Sequence, residues 1–458
     1  MIYLCSNMFY NKKYALYTLG CKLNFAEGSA ISRVLSTHGY QSVDFSEIAD
    51  FYIINTCSVT DNADKKCRSL VRNILRKAPE SKVIIMGCYA QLKPEEIAQI
   101  PGVSMVLGAN EKFNIHLHLQ QLESTSETLV LAGQIKDVNF YAPSFSFGER
   151  TRSFLKVQDG CDYFCSFCTI PLARGRSRSA SIEKTLAIAQ EVAKTGVNEV
   201  VLTGVNIGDF GKTEDGRKRT KENFYALIAE LDKIDEIERW RISSIEPNLL
   251  TEEVIDFVTH SKHFMPHFHI PLQSGSNKIL KMMRRKYDIE LYQNRIEKIK
   301  ALMPHCCIGV DVIVGFPGES EADFLDTYRF LNGLEISYLH VFTYSEREET
   351  KALEIAEIVP VAERRRRNEM LRILSEKKKR AFYESNIGQT FSVLFEAEND
   401  EGYMYGFTTN YIKVRTRYNE TLINTIQEVK LENVQASGVV EISFNPTSSL
   451  KEILYSTS

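Results

Sequence analysis

The sequence lacks any excess of charge of one sign, since its formal net charge is -3. That excludes a global basic field, so any nucleic-acid binding has to come from a local patch. Long apolar runs are also missing. None reaches the roughly 18 residues that a membrane-spanning helix needs, so no membrane partner is expected. The first residues, Met1-Ile-Tyr-Leu-Cys-Ser-Asn-Met-Phe-Tyr10, have no basic n-region, no full apolar h-region and no small-residue cleavage site. They do not read as a secretory leader, and a cytoplasmic location is expected. In that reducing setting the ten cysteines are expected to be thiols or metal ligands rather than disulfides.

What is present is an ordinary globular composition, 43% hydrophobic and 25% charged over 458 residues. That length predicts two or three domains. Residues 14–135 alternate apolar strands (Tyr14–Leu19, Asp50–Asn55, Lys82–Met86) with helical stretches (Glu27–His38, Asn62–Lys77), which predicts a parallel-sheet α/β domain. A stretch rich in Pro, Ser, Gly and aromatics, Asn139–Arg150, reads as a linker. Between 147 and 380 the alternation resumes. Strands are predicted at Ser153–Gln158, Asn198–Gly204, Arg239–Ser244, Phe268–Leu272, Ile308–Gly315 and Tyr338–Tyr344, with helices between them. Six such units predict a partial (βα)6 barrel, whose chemistry belongs at the C-terminal strand ends. A charged helix over 361–380 contains Arg364–Arg367 and Lys377–Arg380. Short β-like runs follow within 385–450 (Phe391–Glu396, Tyr403–Thr408, Ile412–Thr416, Gly438–Ser443) and predict a small all-β barrel or sandwich.

The loop after the first barrel strand reads Gly160-Cys-Asp-Tyr-Phe-Cys-Ser-Phe-Cys-Thr-Ile-Pro171, a Cys-x3-Cys-x2-Cys spacing. Three thiolates this close can wrap one face of an iron–sulfur cubane and leave a fourth iron open. The competing readings are a zinc site with a distant fourth ligand, or three buried thiols. Zinc normally closes with four ligands.

Cys21, Cys57 and Cys88 are far apart in sequence, yet each directly follows an apolar strand. In a parallel sheet those strand ends share one edge, where open α/β folds place their ligands. A second three-ligand cluster is predicted there. The competing reading is three satisfied core cysteines. Cys5, Cys67, Cys306 and Cys307 read as structural.

The first triplet, its place after barrel strand one and the aromatic Phe167 before the last cysteine resemble the radical S-adenosylmethionine superfamily. Over nearly the whole chain the sequence resembles its methylthiotransferases. The strings are Leu19-Gly-Cys-Lys-Leu-Asn24, Asn55-Thr-Cys-Ser-Val-Thr60, Gly87-Cys-Tyr-Ala-Gln91, Ala173-Arg-Gly-Arg-Ser-Arg-Ser179, Ile270-Pro-Leu-Gln-Ser-Gly-Ser276 and Asp311-Val-Ile-Val-Gly-Phe-Pro-Gly-Glu319. Gly20–Asn24, Ser243–Pro247 and Gly406–Val414 resemble the branch that acts on N6-threonylcarbamoyladenosine beside the tRNA anticodon. Sister branches act on isopentenyladenosine in tRNA or on an aspartate of a ribosomal protein. A reading of another class is a non-catalytic iron–sulfur protein that binds RNA or senses redox state.

The resemblance implies two 4Fe–4S clusters and S-adenosylmethionine as cofactors, and a C-terminal RNA-binding TRAM barrel. It also implies a tRNA anticodon loop as partner and an electron donor such as flavodoxin or ferredoxin. Cys161, Cys165 and Cys168 would hold the cluster that generates an adenosyl radical, and Cys21, Cys57 and Cys88 the cluster that holds sulfur. Thr203-Gly204-Val205-Asn206 stands where these enzymes carry Gly-Gly-Glu, and departs from it. Glu246, Gln273, Ser274 and Gly315, at or near other strand ends, are further candidates for cofactor contact. Tyr405, Phe407, Asn410, Tyr411 and Lys413 mix aromatic and polar groups in a β context and are candidates for RNA contact. The two basic runs of the charged helix are candidates for phosphate contact, or a solvated helix face.

Overall fold

In a computed structural model, residues 12–57, 61–122, 127–148 and 151–444 are described. Cys5 lies outside them. The N-terminal unit is a six-stranded sheet of β1 (Lys13–Thr18), β2 (Gln41–Ser42), β3 (Phe51–Thr56), β4 (Lys82–Gly87), β5 (Val103–Leu107) and β6 (Leu129–Leu131), in the order β2-β1-β3-β4-β5-β6. Every pairing is parallel. Tyr52, Ile54, Val83 and Ile85 pack on one face, and Phe51, Ile53, Ile84 and Met86 on the other. Burial on both faces is what makes these strands continuous apolar runs.

The second unit holds β7 (Arg152–Lys156), β8 (Glu199–Thr203) and β9 (Arg239–Ile242) in one parallel sheet, and β10 (His267–His269), β11 (Cys307–Val314) and β12 (Tyr338–Thr343) in another. A parallel bridge between Ser244 and His269 joins the two into a partial barrel. Leu155, Val200, Leu202, Trp240, Phe268, Val310 and Val312 pack in the core shared with the helices. Arg152, Glu199, Arg241, His267 and Asp311 sit at the alternating positions and therefore face the lumen. The fourth strand is shorter than predicted and ends at His269. Pro271 offers no N–H to a ladder, and Gln273 has φ of 67°.

The helix Val361–Glu384 runs along β12, with Ser375 Oγ bonded to both the N–H and the carbonyl of Leu339. It leads into a closed barrel of β13 (Thr390–Phe395), β14 (Tyr403–Thr408), β15 (Lys413–Arg417), β16 (Ile426–Val434) and β17 (Val440–Phe444). This barrel docks on the N-terminal ends of the lumen strands. Arg239 donates to Phe407 O at 3.1 Å and to Ser392 Oγ at 2.9 Å. Arg241 donates to Thr408 O and Thr409 O, each at 2.9 Å.

The stretch read as a linker is packed structure in its described part. Phe145 pairs with Leu155 as an antiparallel bridge, and the Arg33 guanidinium lies 3.8 Å from the Phe145 ring.

Candidate functional site

Cys161, Cys165 and Cys168 lie in the loop that leaves β7 at its C-terminal end. Backbone bonds shape the loop. Cys161 N–H donates to Gly175 O and Cys168 N–H to Cys165 O, both at 3.0 Å. Donors also point at the sulfurs: Tyr163 N–H to Cys161 Sγ at 3.5 Å, Ile170 N–H to Cys168 Sγ at 3.4 Å and Arg285 Nη1 to Cys165 Sγ at 3.1 Å. Donors on thiolate sulfur are the outer-shell feature that tunes a metal site. Burial, with the neighbouring thiols adding to it, pushes Cys161 and Cys168 up to about 12. Binding a metal cation would displace those protons.

Cys21, Cys57 and Cys88 follow β1, β3 and β4, which are neighbours in the sheet. A Cβ placed on Gly20 would fall 2.6 Å from Cys57 Cβ, so these two loops touch. Asn24 ties them further, donating to Leu19 O at 2.9 Å and Thr56 O at 3.0 Å. Cys57 and Cys88 are buried and Cys21 is exposed. Neither triplet gathers its sulfurs within 4.8 Å of one another. Among the described residues, His269, Asp311 and His340 are the group that does so.

A buried charge network joins the two triplets. Glu27, from the helix that begins beside Cys21, pairs with Lys112 at 2.6 Å, Lys156 at 2.9 Å and Arg174 at 3.1 Å. Asp159, two residues before Cys161, pairs with Lys156 at 2.7 Å, Arg174 at 3.0 Å and Arg178 at 3.1 Å. Burial opposes the charge on both carboxyls, yet the cations hold both well below the usual range. Arg174 also donates to Asn24 Oδ1 at 2.6 Å. One guanidinium thus contacts the residue that pins the second triplet and the residue that opens the first.

Residues 155–331 match the family described as the Radical SAM superfamily, and residues 13–108 match the Uncharacterized protein family UPF0004. A curated protein of Bacillus subtilis (strain 168), the threonylcarbamoyladenosine tRNA methylthiotransferase MtaB, is 38% identical over 91% of this chain and 93% of its own. The protein of that name from Aquifex aeolicus is 38% identical over 88% and 96%. A tRNA-2-methylthio-N(6)-dimethylallyladenosine synthase of Endomicrobium trichonymphae is 32% identical over 92% and 98%.

The chain is a radical SAM methylthiotransferase.

In fold it is similar to the radical S-adenosylmethionine methyltransferase TsrM of Kitasatospora setae, at a TM-score of 0.54 and 13% identity, covering 86% of this chain and 80% of that one. The cofactors of a radical SAM methylthiotransferase are two 4Fe–4S clusters and S-adenosylmethionine. The top of the barrel fits the last of these. Asn206 is 3% exposed; its side-chain oxygen has no hydrogen-bond partner among the described residues, and its amide lies beside the Tyr163 hydroxyl. Its backbone is fixed by Gln158 Oε1, which accepts from Val205 N at 3.0 Å and Asn206 N at 2.8 Å. Gly204 packs against Gln158 O, where a Cβ would come to 2.9 Å. Thr203 is buried at the end of β8. Glu246 pairs with Arg285, and Phe167 packs edge-on to Phe316 at 6.5 Å.

Other expected contacts have structural roles. Ser274 is fully buried, 3.3 Å from Thr327 Oγ1, and accepts from Ser276 N at 3.2 Å. Gly315 is needed for its φ of 74° and for close passage of Arg364, whose Cγ would lie 2.3 Å from an added Cβ. Arg364 and Arg367 are buried against Glu346 and Glu319, at 2.6 and 2.7 Å. Arg364 and Arg367 therefore brace the fold, while Arg365 and Arg366 of the same run are exposed. Asn410 is fully buried, donating to His305 O at 3.0 Å and Asn386 Oδ1 at 3.1 Å. Phe407 and Tyr411 stack on each other at 4.8 Å and under Arg152. These three residues join the C-terminal barrel to the core. Tyr405 and Lys413 remain on the barrel's outer face, with Nζ 4.0 Å from the ring, beside Tyr403, Arg415 and Arg417. Arg285 and Glu27 were not singled out from sequence. Their spacing carries no motif, and only the folded chain brings them to the cysteines.

Proposed function

We propose that this enzyme replaces the C2 hydrogen of N6-threonylcarbamoyladenosine, next to the anticodon in tRNA, with a methylthio group. The observation that carries the proposal is the pairing of two separate cysteine triplets through one buried network. The named relatives at 38% identity point to the same nucleoside. Cys161, Cys165 and Cys168 hold one cluster and Cys21, Cys57 and Cys88 the other. When bound, these groups supply the radical that removes the hydrogen and the sulfur that replaces it. The chain's own residues do the rest. Asn206, on its Gln158-fixed loop, offers a buried amide to S-adenosylmethionine. Arg285 steadies the Cys165 sulfur. The Glu27 network holds the two triplets at one separation. A base enters only when splayed from its strand, as an anticodon loop allows. Tyr403, Tyr405, Lys413, Arg415 and Arg417 meet RNA by stacking and phosphate contact. A flavodoxin- or ferredoxin-like protein supplies electrons, and the enzyme works in the cytoplasm, where no helix of the described residues needs to cross a membrane.

The test is mass spectrometry of tRNA nucleosides from a strain lacking the gene, with and without the gene restored. Loss of the 2-methylthio nucleoside with accumulation of threonylcarbamoyladenosine is expected. An unchanged level overturns the proposal, and loss of the 2-methylthio dimethylallyl nucleoside instead assigns the other target.

A further inference from the structure

Between the Cys21 loop and the C-terminal barrel, the lumen holds a cavity of about 350 Å³, lined by Gly20, Lys22, Arg152, Arg241, His267 and Tyr411, with further apolar residues in its wall. Its charges are unbalanced. Arg241 is committed, gripping Glu199 at 2.8 and 3.2 Å while its other bonds go to the Thr408 and Thr409 carbonyls. Arg152 binds Glu396 at 2.8 Å and reaches the Tyr411 hydroxyl at 3.4 Å. Lys22 is exposed and lines the cavity together with Arg152, Arg241 and Tyr411. Yet its ammonium has no hydrogen bond or ion pair among the described residues. A lone ammonium held beside two guanidiniums, with Glu199 already taken, is complementary to an anion.

The cavity is also in the right place. Gly20, which lines it, lies against Cys57, and Lys22 directly follows Cys21. The cavity therefore adjoins the loops that carry Cys21 and Cys57. Phe25, Phe154, Val201 and Ile242 form an apolar wall suited to a short carbon skeleton.

We infer that Lys22, with Arg152 beside it, binds the carboxylate of the threonylcarbamoyl group and so selects this nucleoside over one with an uncharged N6 substituent. This rests on the substrate reading above and deepens it. The threonylcarbamoyl group ends in a carboxylate, whereas a dimethylallyl group offers nothing for an ammonium to bind. A backbone phosphate would satisfy the same cations, so the test must separate the two anions.

The experiment measures binding of the full-length, cluster-loaded enzyme to three anticodon stem-loops. They are identical except at one adenosine, which is unmodified, threonylcarbamoylated, or threonylcarbamoylated with its carboxylate as a methyl ester. A charged hydrogen bond of the usual strength predicts that the wild type prefers the acid over the ester by about tenfold to a hundredfold. Lys22→Gln is expected to bind acid and ester alike, Lys22→Arg to keep part of the preference, and both to bind the unmodified loop as the wild type does. That last affinity also checks folding. If Lys22→Gln keeps the full preference, or weakens all three loops equally, the inference is wrong and Lys22 is idle or a phosphate contact. If the wild type itself does not distinguish the threonylcarbamoylated loop from the unmodified one, the substrate reading fails first.

Discussion

At the scale of single residues, Glu27 has the most demanding position. It is fully buried among Lys112, Lys156 and Arg174, with Asp159 as the second anion of the network. Breaking a buried ion cluster by removing one partner costs about 3–5 kcal/mol, because the remaining charges stay buried. Glu27→Gln is expected to lower the unfolding free energy by that order, measured by denaturant titration. The pH dependence follows from the direction of the shifts. Folding holds both Glu27 and Asp159 below their usual values. Their contribution is therefore complete above the unfolded carboxyl value of about 4 and is lost as pH falls through it toward the folded values. The wild type should lose stability steeply on acidification, and Glu27→Gln should lose less. Asn410 gives a contrasting case. Asn410→Ala removes bonds to His305 and Asn386 and should cost about 1–3 kcal/mol of stability with tRNA affinity unchanged. Lys413→Ala should weaken tRNA binding and flatten its salt dependence by about one phosphate contact, with stability unchanged.

At the scale of elements, strands that are buried on both faces could be read directly, because their apolar runs have no other use. Lys82–Gly87 was predicted to within one residue; Tyr403–Thr408, which alternates buried and half-buried residues, was predicted with the ends it has. The strand Ile426–Val434 was missed. It buries Val429 and Leu431 and alternates them with Glu428, Lys430 and Glu432 on the outside, a charged pattern with low strand propensity. Only closure against β13 and β17 makes it a strand. The cysteine triplets were legible because thiols at strand ends are rare. The aromatics of the C-terminal barrel were legible as aromatics but not by destination. Tyr405 and Tyr411 look alike in sequence, and only the docked barrel shows that Tyr411 lies under Arg152 and Arg241. The lining of the lumen cavity comes from all three units, with Tyr411 supplied by the C-terminal barrel, so no local window contains it.

At the scale of the whole molecule, the three units interlock through charged and polar groups. The N-terminal unit meets the (βα)6 barrel through Glu27, and the C-terminal barrel closes the other end of the lumen through Arg152, Arg239 and Arg241. Truncation after Glu384 would leave those guanidiniums without their carbonyl and Glu396 partners. A large fall in melting temperature is expected by scanning calorimetry, and an unchanged melting temperature would show that the units are independent. The interlock also fixes the two cysteine triplets relative to each other, which is the central claim: two sites with different tasks serve one adenosine. The direct test is to follow S-adenosylmethionine cleavage and methylthiolated nucleoside in the same reaction, for Cys161→Ala and Cys57→Ala. The account predicts that Cys161→Ala loses both activities, and that Cys57→Ala keeps cleavage while forming no methylthiolated nucleoside. If Cys57→Ala still inserts sulfur, the division of labour between the two triplets is contradicted.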